Sequence, residues 1–521
     1  MHPPGDASGT SALAVYRKQV RLASHRRQGA RRRGGTLIVT LRTQHSRLYA
    51  LALFATLCLP LPALRAADAT GQSPKPHIVF ILADDLGWKD VGFHGSEIKT
   101  ANLDRLAAAG TRLEQFYVMP VCTPTRACLM SGRYPMRQGL QVGVIRPWAN
   151  YGLPLPERTL PQALKEAGYQ THIVGKWHLG HFEPAYLPMA RGFEHHYGHY
   201  NGAIGYFTHQ RDGGLDWHRD GKALREEGYS TELLGAEAVR IIEGHDVSKP
   251  LFLYVPFNAP HTPLEVPDAY LKEYKDIKEQ KRRTYAAMVT CEDAQIGRIV
   301  AALEKRGMMQ NTLLVFSSDN GGPLTCGANN GPLRGGKGTL YEGGVRVPAF
   351  AVWQGKLAAG TAVTEPLHMV DWYPTLLKLA GAAPEQTLPL DGLDAWPTIA
   401  AGKRTPHEEI LHNTTPQAGA LRRGDWKLVV NGGKVQEDSE DEQPTDWAEH
   451  TLEPAKKRGS GVELFNIADD PYEKTNLAEK FPEKVKELKE RLDEYAKQAA
   501  PPKGGAKPKR YKAPKVWGEN D

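Results

Sequence analysis

His77-Ile-Val-Phe-Ile-Leu-Ala83-Asp84-Asp85 sets six consecutive apolar residues directly before two carboxylates. An apolar run without alternation fits a strand buried on both faces, which is the mark of a sheet covered by helices on each side. The same texture recurs outward from it. Short apolar runs at 171–174, 251–257 and 313–316 alternate with helical segments at 101–110, 160–168 and 285–306. This pattern predicts an α/β sheet whose ligands bind beyond the carboxyl ends of its strands. After about residue 405 the pattern changes to strand-like pieces at 424–430 and 462–467, an acidic loop from Glu437 to Glu442, and an amphipathic helix at 482–498. The division expected is a catalytic domain over 75–405, a small C-terminal α+β subdomain over 406–498, and a flexible basic tail over 499–521, rich in Pro, Gly and Lys.

The chain has 521 residues, 40% hydrophobic and 24% charged, with a mean hydropathy of −0.47. These values exclude collagen-like, coiled-coil, mostly disordered and polytopic membrane classes. The net charge of +7 belongs to the N-terminus: residues 1–66 hold 11 Lys and Arg against Asp6 alone, so the remainder carries about −3. No global field for nucleic acid is left. Residues 1–69 read as a basic leader and signal peptide, with bases up to Arg47, an apolar run at 48–64 broken by Pro60 and Pro62, and small residues at Ala66, Ala67 and Ala69. Cleavage near 66–69 predicts an exported protein, periplasmic or secreted. The run is too short for a spanning helix, so no stable membrane span is expected; an uncleaved anchor is the alternative. The Arg-rich stretch 26–33 reads as an extension before the signal or a misassigned start. Of five cysteines, Cys58 leaves with the leader, and Cys122, Cys128, Cys291 and Cys326 make no disulfide scaffold. Neither C-x-x-C nor H-E-x-x-H occurs, so zinc is unsupported.

Two predicted strands end in oxygen ligands, Asp84-Asp85 after 77–83 and Asp319-Asn320 after 313–316. Either pair alone fits an ordinary turn or helix cap. Three carboxylates at one sheet edge repel without a cation, and an all-oxygen set suits Ca²⁺ or Mg²⁺. Cys122-Thr-Pro-Thr-Arg126 opens a helix running towards Tyr134, with Pro124 in the first turn. Cys122 and Arg126 are neighbours at i and i+4, so the thiol is expected to have a depressed pKa; a helix that merely starts with Cys-Thr-Pro is the other reading. Lys176 and His178 point to one side if the chain stays extended and could grip an anion. His261 follows the strand at 251–257, where a proton donor or acceptor is useful. The loop 331–339 approaches a P-loop but has Gly338 where a hydroxyl is needed and no strand before it, leaving Lys337 to meet an anionic group. His195, His196 and His199 read as loop or pocket lining.

Cys122–Arg126 with Ser131-Gly132-Arg133 resembles the signature of the type I, formylglycine-dependent sulfatases. Asp84-Asp85, Gly175-Lys-Trp-His-Leu-Gly180, Ser318-Asp-Asn-Gly-Gly322, Lys337 before Glu342-Gly-Gly-Val-Arg346, Leu421-Arg-Arg-Gly-Asp-Trp-Lys427 and Glu463-Leu-Phe-Asn466 match the family's remaining site motifs in order. The arylsulfatase B (N-acetylgalactosamine-4-sulfatase) branch is the most similar. This resemblance implies an alkaline-phosphatase-like fold with a large mixed sheet between helices. It implies Ca²⁺ on Asp84, Asp85, Asp319, Asn320 and the residue at 122, and conversion of Cys122 to Cα-formylglycine by a formylglycine-generating enzyme. It makes Arg126, His178 and His261 catalytic, Lys176 and Lys337 sulfate-binding, and a sulfated sugar or aryl sulfate the substrate. A phosphodiesterase or phosphonate monoester hydrolase of the same superfamily is the alternative enzyme. A binder of sulfated glycans, with Cys122 never modified, is the alternative from another class.

Overall fold

In the computed structural model, residues 74–383, 386–433 and 461–519 are described. The leader at 1–69 and the acidic loop from Glu437 to Glu442 lie outside them. His77–Ala83 is the middle of the molecule, a strand with every residue buried. It pairs in parallel with Leu251–Pro256 on one side and Thr312–Ser318 on the other. Gln170–Lys176 and His195–His199 continue the parallel set beyond Leu251–Pro256. Antiparallel Ala349–Val352 lies beyond Thr312–Ser318, and the sheet reaches ten strands, a mixed sheet as the resemblance implied.

The continuous apolar run has a direct cause in this arrangement. Ile78, Phe80 and Leu82 point into one core with Leu129, Leu164 and Leu376. Val79, Ile81 and Ala83 point into the other with Leu106, Leu234 and Ile299. Each buried Ile, Leu or Phe contributes about 1.5–3 kcal/mol, so a polar residue on either face costs the same core. Helix Gln280–Lys305 covers the second face, its start capped by the Glu279 carboxylate, which accepts from the Lys281 and Arg282 amides.

Four antiparallel strands, Glu409–Thr414, Gly419–Arg423, Trp426–Val430 and Val462–Asn466, form the C-terminal sheet in that order, with helix Pro482–Lys497 against it. Leu411, Leu421, Leu464, Leu488 and Leu492 share the first core with Tyr134 and Trp372, so this sheet is welded to the catalytic one.

Three expectations need correction. The segment after residue 498 is no loose tail among its described residues: Trp517 is buried, its amide donates to the Leu215 carbonyl, and Leu215 returns a bond to the Lys515 carbonyl. His195, His196 and His199 lie on a strand, not in a loop, because Gln170–Lys176 supplies their ladder partners. The helix at Cys122 stops at Ser131, where Gly132 turns left-handed at φ 67°, short of Tyr134.

Candidate active site

The parallel strands end together, and their next residues meet at one edge. Asp84 donates its amide to the Ala259 carbonyl, and Asp319 donates its amide to Ala83. The Asp85 amide donates to Asp319 Oδ1 at 3.2 Å. Cys122, first residue of its helix, is packed with Sγ 3.3 Å from Asp84 Oδ1. Arg126, one turn on, sends Nε and Nη2 to Asp319 Oδ2 at 3.1 and 2.8 Å and Nη1 to the Lys176 carbonyl at 3.3 Å. Lys176 Nζ donates to Asp84 Oδ2 at 2.7 Å. Gly175 allows this approach: its φ is +137°, and a Cβ there would stand 1.9 Å from the Pro256 carbonyl oxygen.

Lys337 reaches the cluster from the glycine-rich loop, with Nζ 3.0 Å from Asp85 Oδ2 and 3.2 Å from His261 Nε2. His261 Nδ1 donates to the Thr262 carbonyl at 2.7 Å, which leaves Nε2 as an acceptor for Lys337. His178 Nε2 donates to the Ile145 carbonyl at 3.1 Å, and its Nδ1 is buried without a hydrogen-bond partner among the described residues. All the sequence-predicted site residues therefore sit at this one edge.

Burial dominates the electrostatics. It pushes the Asp84 carboxyl up to about 8, helped by the charge of Asp319 and opposed by Lys176. Burial also pushes Asp319 up, but Arg126 and Lys176 outweigh it and hold that carboxyl down at about 2. His261 is lowered to about 4 by burial and then by Lys337, and His178 is lowered well below its usual value by burial and Lys176. Both imidazoles are neutral at pH 7. The Cys122 expectation is overturned: burial, then Asp319 and Asp84, raise the thiol well above its ordinary value. Arg126 fails to depress it because its fork is turned onto Asp319.

The donor set fits a divalent cation. Ligand atoms of Asp84, Asp85, Cys122 and His261 all lie within 4.8 Å of one another. Asn320 Oδ1 is buried with no hydrogen-bond partner among the described residues, while its Nδ2 donates to Asp85 Oδ1 at 2.6 Å. An orphaned amide oxygen beside clustered carboxylates is hard-cation chemistry. Asp319 adjoins the cluster, with Oδ1 accepting from the Asp85 amide and Oδ2 from Arg126.

The sulfatase family profile matches residues 76–382 of this chain. Arylsulfatase J of Mus musculus is 41% identical over 471 residues, covering 84% of this chain and 78% of the relative. N-acetylgalactosamine-6-sulfatase of Mus musculus is 36% identical over 67% of this chain and 70% of its own length. The chain belongs to the sulfatase family. It is a type I sulfatase and a sulfuric ester hydrolase, its branch within the family fixed only approximately by these relatives. A solved structure described as Ps i-CgsB superposes at a TM-score of 0.72, with 36% identity, over 82% of this sulfatase and 94% of that chain. Family membership implies a formylglycine and a divalent metal at the cluster just described.

Two groups of motif residues do other work in this sulfatase. Lys427 Nζ lies 2.8 Å from Glu342 Oε1 and 2.9 Å from Glu473 Oε1, all three buried, and Tyr117 Oη donates to Glu342 Oε2 at 2.9 Å. Glu342 and Lys427 thus pin the C-terminal sheet to the catalytic domain rather than touch substrate. Conversely, sequence reasoning missed Thr123, whose hydroxyl donates to the His178 carbonyl; Tyr206, whose hydroxyl lies 2.7 Å from the His261 carbonyl; and Tyr285, which donates to the Asp85 carbonyl at 2.9 Å. Thr123 stood inside a quoted motif; the two tyrosines have no local signal.

Proposed function

We propose that this sulfatase hydrolyses sulfate monoesters of carbohydrates, with Ca²⁺ held by Asp84, Asp85, Asp319, Asn320 and residue 122, and with Cys122 converted to Cα-formylglycine. The observation that carries the reading is the position of Cys122. Its sulfur is enclosed 3.3 Å from Asp84 with its thiol pKa raised, so the unmodified side chain is a poor nucleophile at the centre of the cluster. When present, the formylglycine hydrate supplies an oxygen nucleophile and the cation polarises the sulfate oxygens. Cys122 is only 1% exposed, so a formylglycine-generating enzyme must reach it before the chain closes.

The remaining residues bind and balance charge. Asp84, Asp85 and Asp319 against Arg126, Lys176 and Lys337 sum to zero when all are ionised. A divalent cation makes the edge net positive and receptive to the single negative charge of a sulfate monoester. Lys176 and Lys337 neutralise sulfuryl oxygens. Arg126 fixes Asp319 and the Lys176 backbone. His178 Nδ1 is a buried free acceptor for a proton of the nucleophile, and His261 Nε2 exchanges the proton of the departing alcohol once an anion offsets Lys337.

Carbohydrate as the substrate class is supported by N-acetylgalactosamine-6-sulfatase among the relatives. It is also supported by the 34% identical Ps i-CgsB structure described as in complex with k-i-k-neocarrahexaose. Export follows from the leader, and among the described residues no helix is long and apolar enough to cross a membrane. Mass spectrometry of the residue-122 peptide, with kcat/KM on an aryl sulfate and the matching phosphodiester, tests the reading. An aldehyde at 122 and preference for the sulfate are expected. A phosphodiester preferred by more than about tenfold, roughly 1.4 kcal/mol, replaces it with the phosphodiesterase alternative.

A further inference from the structure

The described segment after residue 498 takes no part in the chemistry above, yet it is tied along its length. Ala500 donates its amide to Met136, Lys503 to Gly139 and Trp517 to Leu215, at 2.8, 2.7 and 2.9 Å. The Trp148 indole donates to the Gly505 carbonyl at 3.0 Å, and the Trp517 indole to Arg211 at 3.0 Å. Between this strap and the catalytic domain lies a cleft of about 230 Å³ whose walls include Trp148, Phe182, Tyr511 and Trp517.

The cleft is lined by the residues that follow Ile145 and His178 along their two loops. His178 donates to Ile145 and His181 donates to Pro147, each at 3.1 Å, so the two loops that hold the catalytic histidine run on into the cleft lining. Its lining is aromatic, with one acid, Glu519, and a lysine, Lys507, stands against two of its rings from outside the walls. Trp148 and Tyr511 meet edge to face with centroids 5.9 Å apart, and Lys507 Nζ stands 5.4 and 5.5 Å from those two rings. Tyr511 Oη is buried with no hydrogen-bond partner among the described residues. Residues 499–521 carry six basic side chains against two acidic ones, in a chain that is otherwise acidic after its leader.

We propose that this cleft is a subsite for a further sugar ring of a sulfated oligosaccharide. The ring's C–H face packs on Trp148 and Tyr511, whose electron-rich faces already attract the Lys507 ammonium. Lys507 pairs with an anionic substituent of that sugar. The volume lies just under the ~300 Å³ lower bound of drug-sized pockets, which suits one ring rather than two. The inference rests on the carbohydrate reading and deepens it: the strap makes the enzyme read the chain around the sulfate, not only the sulfated unit.

The test separates the two. The Cys122→Ser protein is titrated calorimetrically with carrageenan and chondroitin sulfate hexasaccharides and with a sulfated galactose monosaccharide, alone and combined with Tyr511→Ala or with Lys507→Ala, the latter at an exposed position. Tyr511→Ala should weaken the preferred hexasaccharide at least tenfold and Lys507→Ala about threefold, with monosaccharide binding changed less than twofold. Hexasaccharide affinity equal to that of the monosaccharide, or unchanged in both variants, overturns the subsite. Turnover of sulfate esters by the unaltered enzyme is measured in parallel; its absence overturns the functional reading instead.

Discussion

The Lys176 ammonium lies 2.7 Å from Asp84 Oδ2 with both side chains wholly enclosed, and still does not keep that carboxyl low. Burial and Asp319 hold Asp84 up at about 8, so the metal-free cluster keeps one proton at neutral pH. A divalent cation must displace it. Its affinity should therefore rise about tenfold per pH unit below about 8 and level off above. Calorimetry of Ca²⁺ binding to chelator-stripped enzyme, in buffers of different protonation enthalpy, should find about one proton released at pH 6.5 and almost none at pH 9.5. No release at either pH would contradict this account, and full turnover after stripping would remove the metal itself.

Lys337 serves both Asp85 and His261, so its loss should show twice. Lys337→Met removes a cation from the sulfate and should lower kcat/KM on an aryl sulfate about 100-fold, roughly 2.7 kcal/mol. Burial and then Lys337 keep His261 down at about 4, and without that neighbouring charge the imidazolium is less disfavoured. The acid limb of the pH profile should move to higher pH, and Lys337→Arg should recover part of both effects. A rate loss with an unmoved limb would mean that His261 does not set it.

The sheet was legible because 77–83, 251–257 and 313–316 are continuous apolar runs, which two buried faces demand. His195–His199 was not, since three histidines, a tyrosine and a glycine become a strand only through their neighbours Gln170–Lys176 and His218–Arg219. Ala349–Val352 is four residues long and needs Thr312–Ser318 to order it. The site residues were legible because sheet topology puts whatever follows each strand at one edge, so Asp84, Lys176, His261 and Asp319 were bound to converge. Cys122 was misread for the complementary reason: sequence gives Arg126 as a neighbour at i+4, but not that its guanidinium faces Asp319 or that the thiol is sealed.

Export has a direct readout. N-terminal sequencing of protein from the native host should give a chain beginning within a few residues of Ala67. A chain that begins at Met1 in the cytoplasm would overturn the leader reading.

The joint between the two sheets is the place where a single substitution should act on stability rather than chemistry. Lys427 is one buried cation for two buried carboxylates, Glu342 and Glu473. Burial pushes Glu342 up, but Lys427 and Arg346 outweigh it and hold it low; Glu473, raised by burial and only partly relieved by Lys427, stands at about 7. Lys427→Met keeps most of the volume and removes the charge, so the two carboxyls face each other and both shift further up. A carboxyl raised above its unfolded value binds more protons when folded, so its effect is to make stability fall as pH rises through that window. The variant should lose about 3–5 kcal/mol at pH 8, the range for breaking a buried pair, and distinctly less at pH 5, where the native state takes up protons. Denaturant unfolding at the two pH values measures this, with aryl sulfate turnover per folded molecule nearly unchanged. Adding Glu342→Gln and Glu473→Gln to Lys427→Met should restore most of the loss, because neither carboxylate is then left buried without Lys427, while Arg346 loses only a longer contact to Glu342 at 3.5 Å. An equal loss at both pH values, or none, would show that the cluster is not an ion pair holding the sheets together.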